Sequence, residues 1–140
     1  MEKTLVLVKP DGVKRGLIGD IIRRFENRTL KVLALKIIKP TREMAERHYA
    51  VHRGKPFFEG VVDYISADPI VAMVLSGDNA IAVVRGMVGA LQPVDAHPGT
   101  IRGDYTLSVS ENLVHASDSP ESSAREIDVW FKPEEILHQG

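Results

Sequence analysis

Three apolar, β-rich runs with helical stripes between them constrain this chain more than any other feature. The first, residues 4–8 (T-L-V-L-V), ends at Lys9-Pro10-Asp11-Gly12 and predicts a buried strand closing in a turn. The second, residues 31–39, is stopped by Pro40, and the third begins at Pro69 and runs to about Leu75. Between the first two, Ile18, Ile21, Ile22 and Phe25 recur at helical spacing, with charges on the opposite face, over residues 19–28. Between the second and third, Thr41 is the N-cap of a helix to about Val51, and Phe57, Phe58, Val61, Val62 and Ile65 make another stripe. Ser76-Gly77-Asp78-Asn79 reads as a turn before a helix to about Val88. Residues 91–104 hold Pro93, Pro98, Gly99 and Gly103 without a steady period, which predicts a long ordered loop of the functional kind. Ser119-Pro120-Glu121 supplies a cap, a proline at the first helical position and an acid in the first turn. Residues 127–131 read as a last strand. The order β-α-β-α-α-β-α-loop-α-β predicts an α+β, ferredoxin-like sandwich: helices packed on a four-stranded, mostly antiparallel sheet.

The 140 residues fit one domain, 1–140, large enough to bury a core without disulfides or metals. A formal net charge of −1 gives no footing for bulk electrostatic binding of nucleic acid or an anionic membrane. The chain has no cysteine, which removes disulfides, thiolate chemistry and Cys-based zinc sites and suits the cytoplasm. The N-terminal apolar run is too short for a signal-peptide core, and no stretch reaches the length of a membrane span.

The usual phosphate-binding signatures are missing. There is no G-x-x-x-x-G-K-[ST] loop, no G-x-G-x-x-G, and no HRD, DFG or HExxH segment. Phosphates bound here must be held largely by discrete side chains. His115 lies just ahead of the capped helix start, where anionic groups are favoured, and an imidazole there can attack phosphorus and carry the group covalently. Glu126, inside the following helix, can fix the ring's tautomer. Spacing alone does not separate this from an ordinary polar residue at a strand end. Arg85 interrupts an apolar helical face, Arg102 sits in the Gly-rich loop, and Lys9 ends a strand; each taken singly also reads as a surface charge. Tyr49 and His52 share a helical face with Met44, Ala45 and His48; the His48/His52 pair lacks a third metal ligand, and such a face more often packs a core. One of Phe57 and Phe58 can stack on a base, or both can be core.

Taken together, N-L-V-H-A-S-D-S-P-E-S-S-A-R-E-I closely resembles the active-site segment of nucleoside diphosphate kinases. T-L-V-L-V-K-P-D-G-V, H-Y-A-V-H-R-G-K-P-F-F and P-G-T-I-R-G-D-Y resemble the same family, in the same order, so the likeness spans about residues 4–135. The resemblance implies an enzyme that moves the γ-phosphate of a nucleoside triphosphate, typically ATP, to GDP and other ribo- and deoxyribonucleoside diphosphates. It implies His115 as the nucleophile, phosphorylated on its δ nitrogen, with Glu126 on the other ring nitrogen and Ser117 in support. Lys9 and Asn112 would meet the ribose hydroxyls, Lys9 would also reach the transferred phosphate, and Tyr49 would stand beside it. His52, Arg85 and Arg102 would hold the phosphates, and Phe57 and Val109 would flank the base. Mg²⁺ would arrive on the nucleotide, with Asp118 touching it through water. Family members assemble as hexamers or tetramers, and a homo-oligomer, hexamer before tetramer, is expected.

The chain departs from the family in places. Leu91 stands where a phosphate-binding threonine is usual, a loss of about 1 kcal/mol of hydrogen bonding and an expectation of weaker nucleotide binding. Thr29 and Asp68 occupy positions where glycine is common, and Ala116 replaces a frequent glycine. Two other function classes compete with the kinase. An RNA- or protein-binding ferredoxin-like module would, in its RNA form, show an RNP1-like aromatic-basic strand, and none appears. A family member that has lost catalysis would not be expected to keep His115, Lys9, Arg85, Arg102, Asn112 and Glu126.

Overall fold

The structure is a computed structural model and describes residues 1–138. Four strands, β1 (Glu2–Val8), β2 (Lys31–Ile38), β3 (Ile70–Gly77) and β4 (Val114–Ala116), form one sheet in the order β2-β3-β1-β4. Every pairing is antiparallel, and β1 lies between β3 and β4. The helices are α1 (Pro10–Lys14), α2 (Ile18–Asn27), α3 (Arg42–His48), α4 (Phe58–Ala67), α5 (Ala80–Val88), α6 (Ile101–Tyr105) and α7 (Pro120–Trp130). This is the ferredoxin-like sandwich that the order of elements predicts.

The alternation of side chains along the strands explains the two layers. Leu5 and Leu7 of β1 join Ala72 and Val74 of β3 in a core closed by Ala45 of α3, Val62 and Ile65 of α4 and Trp130 of α7. Val6, Val8, Val71, Met73 and Leu75 face the other way, onto Ile21 and Phe25 of α2 and Ala80, Val84 and Val88 of α5. Both faces are buried, so β1 and β3 are near-continuous apolar runs rather than alternating ones. In β2 a register shift between Val32 and Ala34 admits an extra residue and leaves Leu33 and Ala34 both buried.

Five expectations need correction. Residues 127–131 are not a strand: 127–130 complete α7, whose buried Ser123, Glu126, Ile127 and Trp130 follow a helical period that the short segment read alone conceals. The fourth strand is instead Val114–Ala116, only three residues long and therefore too short to leave a periodic signal. Pro10-Asp11-Gly12 opens α1, with proline at the position where its missing N–H costs nothing, rather than making a turn. The helix after Thr41 ends at His48 and a 3₁₀ turn, Ala50–His52, replaces its last part. The loop over 91–104 holds a 3₁₀ turn, Pro93–Asp95, and the start of α6, capped by Thr100. Smaller shifts affect Ser76 and Gly77, which continue β3.

Thr29 adopts φ 68°, a left-handed conformation that strains a β-branched residue. Asp68 has an extended φ of −143° and pairs with Lys14 at 2.9 Å, so its turn has no need of glycine.

Candidate active site

β4 is an edge strand of three residues, and a cleft of about 310 Å³ includes His115 and Ala116 from it among its lining. His115 pairs with Leu7 across the sheet and so shares its face with the α3, α4 and α7 core. There its Nε2 lies 2.8 Å from Glu126 Oε1. The carboxylate can only accept, so in the neutral ring Nε2 carries the proton and Nδ1 keeps its lone pair. Ser117 is fully buried and donates to the same Glu126 oxygen at 2.7 Å; its own hydroxyl accepts the Leu5 N–H at 3.3 Å. Arg125 stands 3.6 Å from the second Glu126 oxygen. Glu126 is thereby fixed on both oxygens, one turn and a half into a helix whose start is capped by Ser119.

The cations come from different elements. Arg85, near the end of α5, donates to the Ala116 carbonyl at 3.2 Å and reaches the cleft. The first turn of α5 is held by Glu2, which accepts the Ile81 N–H at 2.8 Å. Arg102 donates to three carbonyls: Asn112 at 3.2 Å, Gly89 at 3.1 Å and Val114 at 2.8 Å. A guanidinium has five N–H groups, so Arg102 staples the segment before β4 and keeps donors for an anion. Burial, followed by the neighbouring Arg85, pulls its pKa down to about 10. Lys9 donates to Asn112 Oδ1 at 2.9 Å, and Asn112 donates to the Val109 carbonyl at 2.8 Å. Burial first, then Arg102, brings the Lys9 pKa down to about 8, with Asp11 opposing.

Tyr49, His52, Arg85, Leu91, Arg102, His115, Asp118 and Glu126 all line the one cleft. Lys9 and Asn112 lie outside that lining but join it through the Asn112 carbonyl held by Arg102. Ser117 sits behind Glu126. Phe57 is half exposed with its ring 5.2 Å from the His52 ring, and Lys55 lies over its face at 5.8 Å; Phe58 is the core residue of the pair. Val109 is exposed, and its carbonyl accepts from the Asn112 amide. Leu91 presents an apolar side chain to the cleft, with no hydroxyl for a phosphate.

Two residues beside His115 and Glu126 were given no site role in the sequence. His48 is buried, accepts the Trp130 indole N–H on Nδ1 at 3.0 Å, and packs edge-on against the His115 ring at 4.5 Å. Burial and the surrounding positive groups hold its pKa well below the ordinary histidine value, so it supports His115 as a neutral ring. Arg125 donates to the Arg47 and His48 carbonyls at 3.1 and 3.2 Å and ties α7 to the end of α3. No local motif marks either role; only the shared face of His48 with Tyr49 and His52 hinted at one. His48, His115 and Glu126 bring potential ligand atoms within 4.8 Å of one another, but His48 Nδ1 accepts from Trp130, and Glu126 Oε1 is bonded to His115 Nε2 and Ser117.

The cleft carries two carboxylates. Glu126 is committed to His115 and Ser117, while a hydrogen bond from Ser122 and the charge of Arg85 keep Asp118 ionised below the usual range. One available carboxylate fits Mg²⁺ brought in on phosphate oxygens with most of its waters retained. It does not make an all-protein cage.

A sequence model of the nucleoside diphosphate kinase family matches residues 2–136. A nucleoside diphosphate kinase of Staphylothermus marinus is 61% identical over 97% of this chain and 96% of its own length. One from Archaeoglobus fulgidus is 58% identical over 99% and 91%. Among solved structures, a nucleoside diphosphate kinase family protein from Babesia bovis superposes with a TM-score of 0.97 at 46% identity, covering 100% of this chain and 95% of that one. A halophilic nucleoside diphosphate kinase from Halobacterium salinarum, in complex with CDP, superposes with a TM-score of 0.94 at 45% identity over 99% and 93%.

Proposed function

The chain belongs to the nucleoside diphosphate kinase family and is an enzyme that passes phosphate between nucleoside tri- and diphosphates; from that premise we propose that His115 is its nucleophile. The observation that carries the reading is the 2.8 Å contact that commits His115 Nε2 to Glu126 and leaves Nδ1 for the cation-lined cleft. Nδ1 attacks the γ-phosphorus of the donor triphosphate. The bond from that phosphorus to the β,γ-bridging oxygen breaks, the nucleoside diphosphate leaves, and the phosphoryl group stays on the ring. A second diphosphate then attacks the phosphohistidine through a terminal oxygen and departs as triphosphate, restoring Nδ1.

Transfer of this kind depends mainly on positioning and charge. Arg85, Arg102, His52 and Lys9 offset the phosphates, with no help from Leu91. Asp118 is the residue that would reach the water shell of a Mg²⁺ carried on the phosphates, an ion that would supply charge neutralisation at their oxygens. Lys9 and Asn112 meet the ribose, Tyr49 stands beside the reacting phosphate, Ser117 steadies Glu126, and Phe57 and Val109 flank the base. Stacking tolerates every base, which suits a kinase of broad nucleoside range, ATP and GDP included.

The remaining properties follow as proposals. The described residues form one domain. No helix among them is long and apolar enough to cross a membrane, and the cytoplasm is the proposed compartment. Leu35 and Ile37 are 50% and 67% exposed on β2, at the edge of the sheet. An exposed apolar edge strand is a liability in a free monomer, and a homo-oligomer, a hexamer before a tetramer, would cover it.

Initial rates test the scheme. With both nucleotides varied, double-reciprocal plots are expected to be parallel, because one product leaves before the second substrate binds. Intersecting lines would mean direct transfer in a ternary complex.

The pH profile tests Lys9. Its pKa of about 8 means the charged form is lost as pH rises through that value. kcat/KM, which reports the free enzyme, should fall above pH 8 by roughly tenfold per unit. The limb in kcat should lie at higher pH, since bound phosphates favour the ammonium. A kcat/KM profile flat to well above pH 9 excludes a charged Lys9 from the step.

A further inference from the structure

The junction of β1 and α1 grips the segment ahead of His115 at a single residue. Leu113 has φ 70°, a left-handed conformation that a bulky side chain keeps only where its surroundings hold it. Both of its backbone groups are held by one short stretch. The Lys9 N–H donates to the Leu113 carbonyl at 2.7 Å, and the Leu113 N–H donates to Asp11 Oδ2 at 3.0 Å. Gly12 completes the grip by what it lacks. A Cβ there would meet Val8 Cγ1 at 2.8 Å and the Leu113 carbonyl oxygen at 3.3 Å. The other Asp11 oxygen accepts from the Tyr64 hydroxyl at 2.6 Å, and the Asp11 N–H donates back to that hydroxyl at 3.2 Å. Tyr64 belongs to α4, the helix that begins directly after Phe57. Asp11 is buried, so little water competes for these bonds.

We propose that Asp11 is a positioning residue: it holds Leu113 left-handed, and so sets the register of Asn112 and His115, while Tyr64 locks the carboxylate in place. The inference rests on His115 being the nucleophile. Leu113 separates Asn112, which Lys9 bonds, from Val114, the first residue of β4. Relaxing its φ turns the peptides on either side, drawing Asn112 off Lys9 and tilting β4, which carries His115 against Glu126. Leu113 and Val114 lie at one margin of the α2 and α5 core, while β1, β3 and the helices supply most of it, so the expected effect is chiefly on rate. Asp11 has a competing role, because its charge also favours the ammonium of Lys9. Asparagine separates the two: its side-chain oxygen still accepts the Leu113 N–H, and its amide can donate to the Tyr64 oxygen, but the charge is gone.

The test is single-turnover phosphorylation of the full chain by γ-labelled ATP with Mg²⁺, in the wild type, Asp11→Asn, Asp11→Ala and Tyr64→Phe. The wild type must first take label on His115; failure there removes the nucleophile reading rather than this one. Asp11→Ala is expected to slow labelling at saturating ATP by about tenfold or more, with half-saturating ATP moved by less than about twofold, since small displacements of reacting groups act on rate. Asp11→Asn is expected to stay within about threefold of the wild type, because it keeps the hydrogen bonds. Asp11→Asn as slow as Asp11→Ala would assign the effect to charge and overturn the proposal, as would Asp11→Ala at the wild-type rate. If Asp11→Ala does not fold, Tyr64→Phe decides: about threefold slower labelling with unchanged half-saturation supports the lock, and the wild-type rate overturns it.

Discussion

His115→Ala loses phosphoryl transfer by a factor on the order of 10⁴ or more, the scale of removing a covalent nucleophile. The size of the loss follows from what else the cleft contains. His48 is the nearest imidazole, but its Nδ1 accepts the Trp130 N–H and burial keeps the ring fixed and neutral. Tyr49 has its hydroxyl pushed up to about 12 by burial and by Glu126, so it supplies no phenolate at neutral pH. Ser117 is fully enclosed and bonded to Glu126. None of these can take over. The fold should survive, because the His115 side chain is partly exposed and Glu126 keeps Ser117 and Arg125 as partners. A coupled assay beside a thermal melt checks both halves. Activity within tenfold of the wild type in a folded variant would place the nucleophile elsewhere.

Glu126→Ala is the second large effect, expected to slow phosphorylation of the enzyme on the order of 100-fold through misplacement of the ring. Without the carboxylate, nothing assigns the proton to Nε2, and the tautomer with Nδ1 protonated becomes available. That tautomer has no lone pair where the phosphorus arrives. The same substitution leaves the buried Ser117 hydroxyl only its contacts to Leu5 and removes the ion-pair partner of Arg125, so stability falls as well. Glu126→Gln separates these losses, because its oxygen can still accept from Ser117 and from Nε2. It should retain more activity than Glu126→Ala. Nucleotide affinity should change little in either, since Arg85, Arg102 and Lys9 are untouched. Equal rates in Glu126→Ala and the wild type would remove the orienting role; a loss confined to nucleotide affinity would turn Glu126 into a binding residue.

The layer architecture was legible because the apolar runs at 4–8, 31–39 and 69–75 coincide closely with β1, β2 and β3, and the stripes between them mark α2, α3 and α4. What the sequence concealed was short or borrowed from tertiary contacts. β4 has three residues and exists because β1 offers it an edge; no periodicity can announce it. Residues 127–131 imitate a strand because Ile127, Val129 and Phe131 alternate, yet the capped start at Ser119 carries the helix through to Trp130. Pro10 looked like a breaker and is instead a helix start.

The site divides the same way. That His115, Arg102 and Glu126 meet in one cleft was expected from residue type, position and family resemblance together. The threefold carbonyl staple made by Arg102, the neutral His48 behind the nucleophile and the Asp11 hold on Leu113 were not. The last two join residues far apart in the chain, the first gathers carbonyls across an irregular segment, and each depends on a burial that only the folded molecule supplies. Thr29 shows the opposite case. The sequence marked it as an unusual residue for its turn, and the backbone there is left-handed.

The central claim is a covalent phosphohistidine at position 115, and one measurement bears on it directly. The enzyme is incubated with γ-labelled ATP and Mg²⁺, stripped of free nucleotide, and digested, and the labelled peptide is identified. The account predicts acid-labile, base-stable label on His115 that GDP discharges quantitatively as labelled GTP. Label on another residue, or a transfer that proceeds with no labelled enzyme at any time, contradicts it.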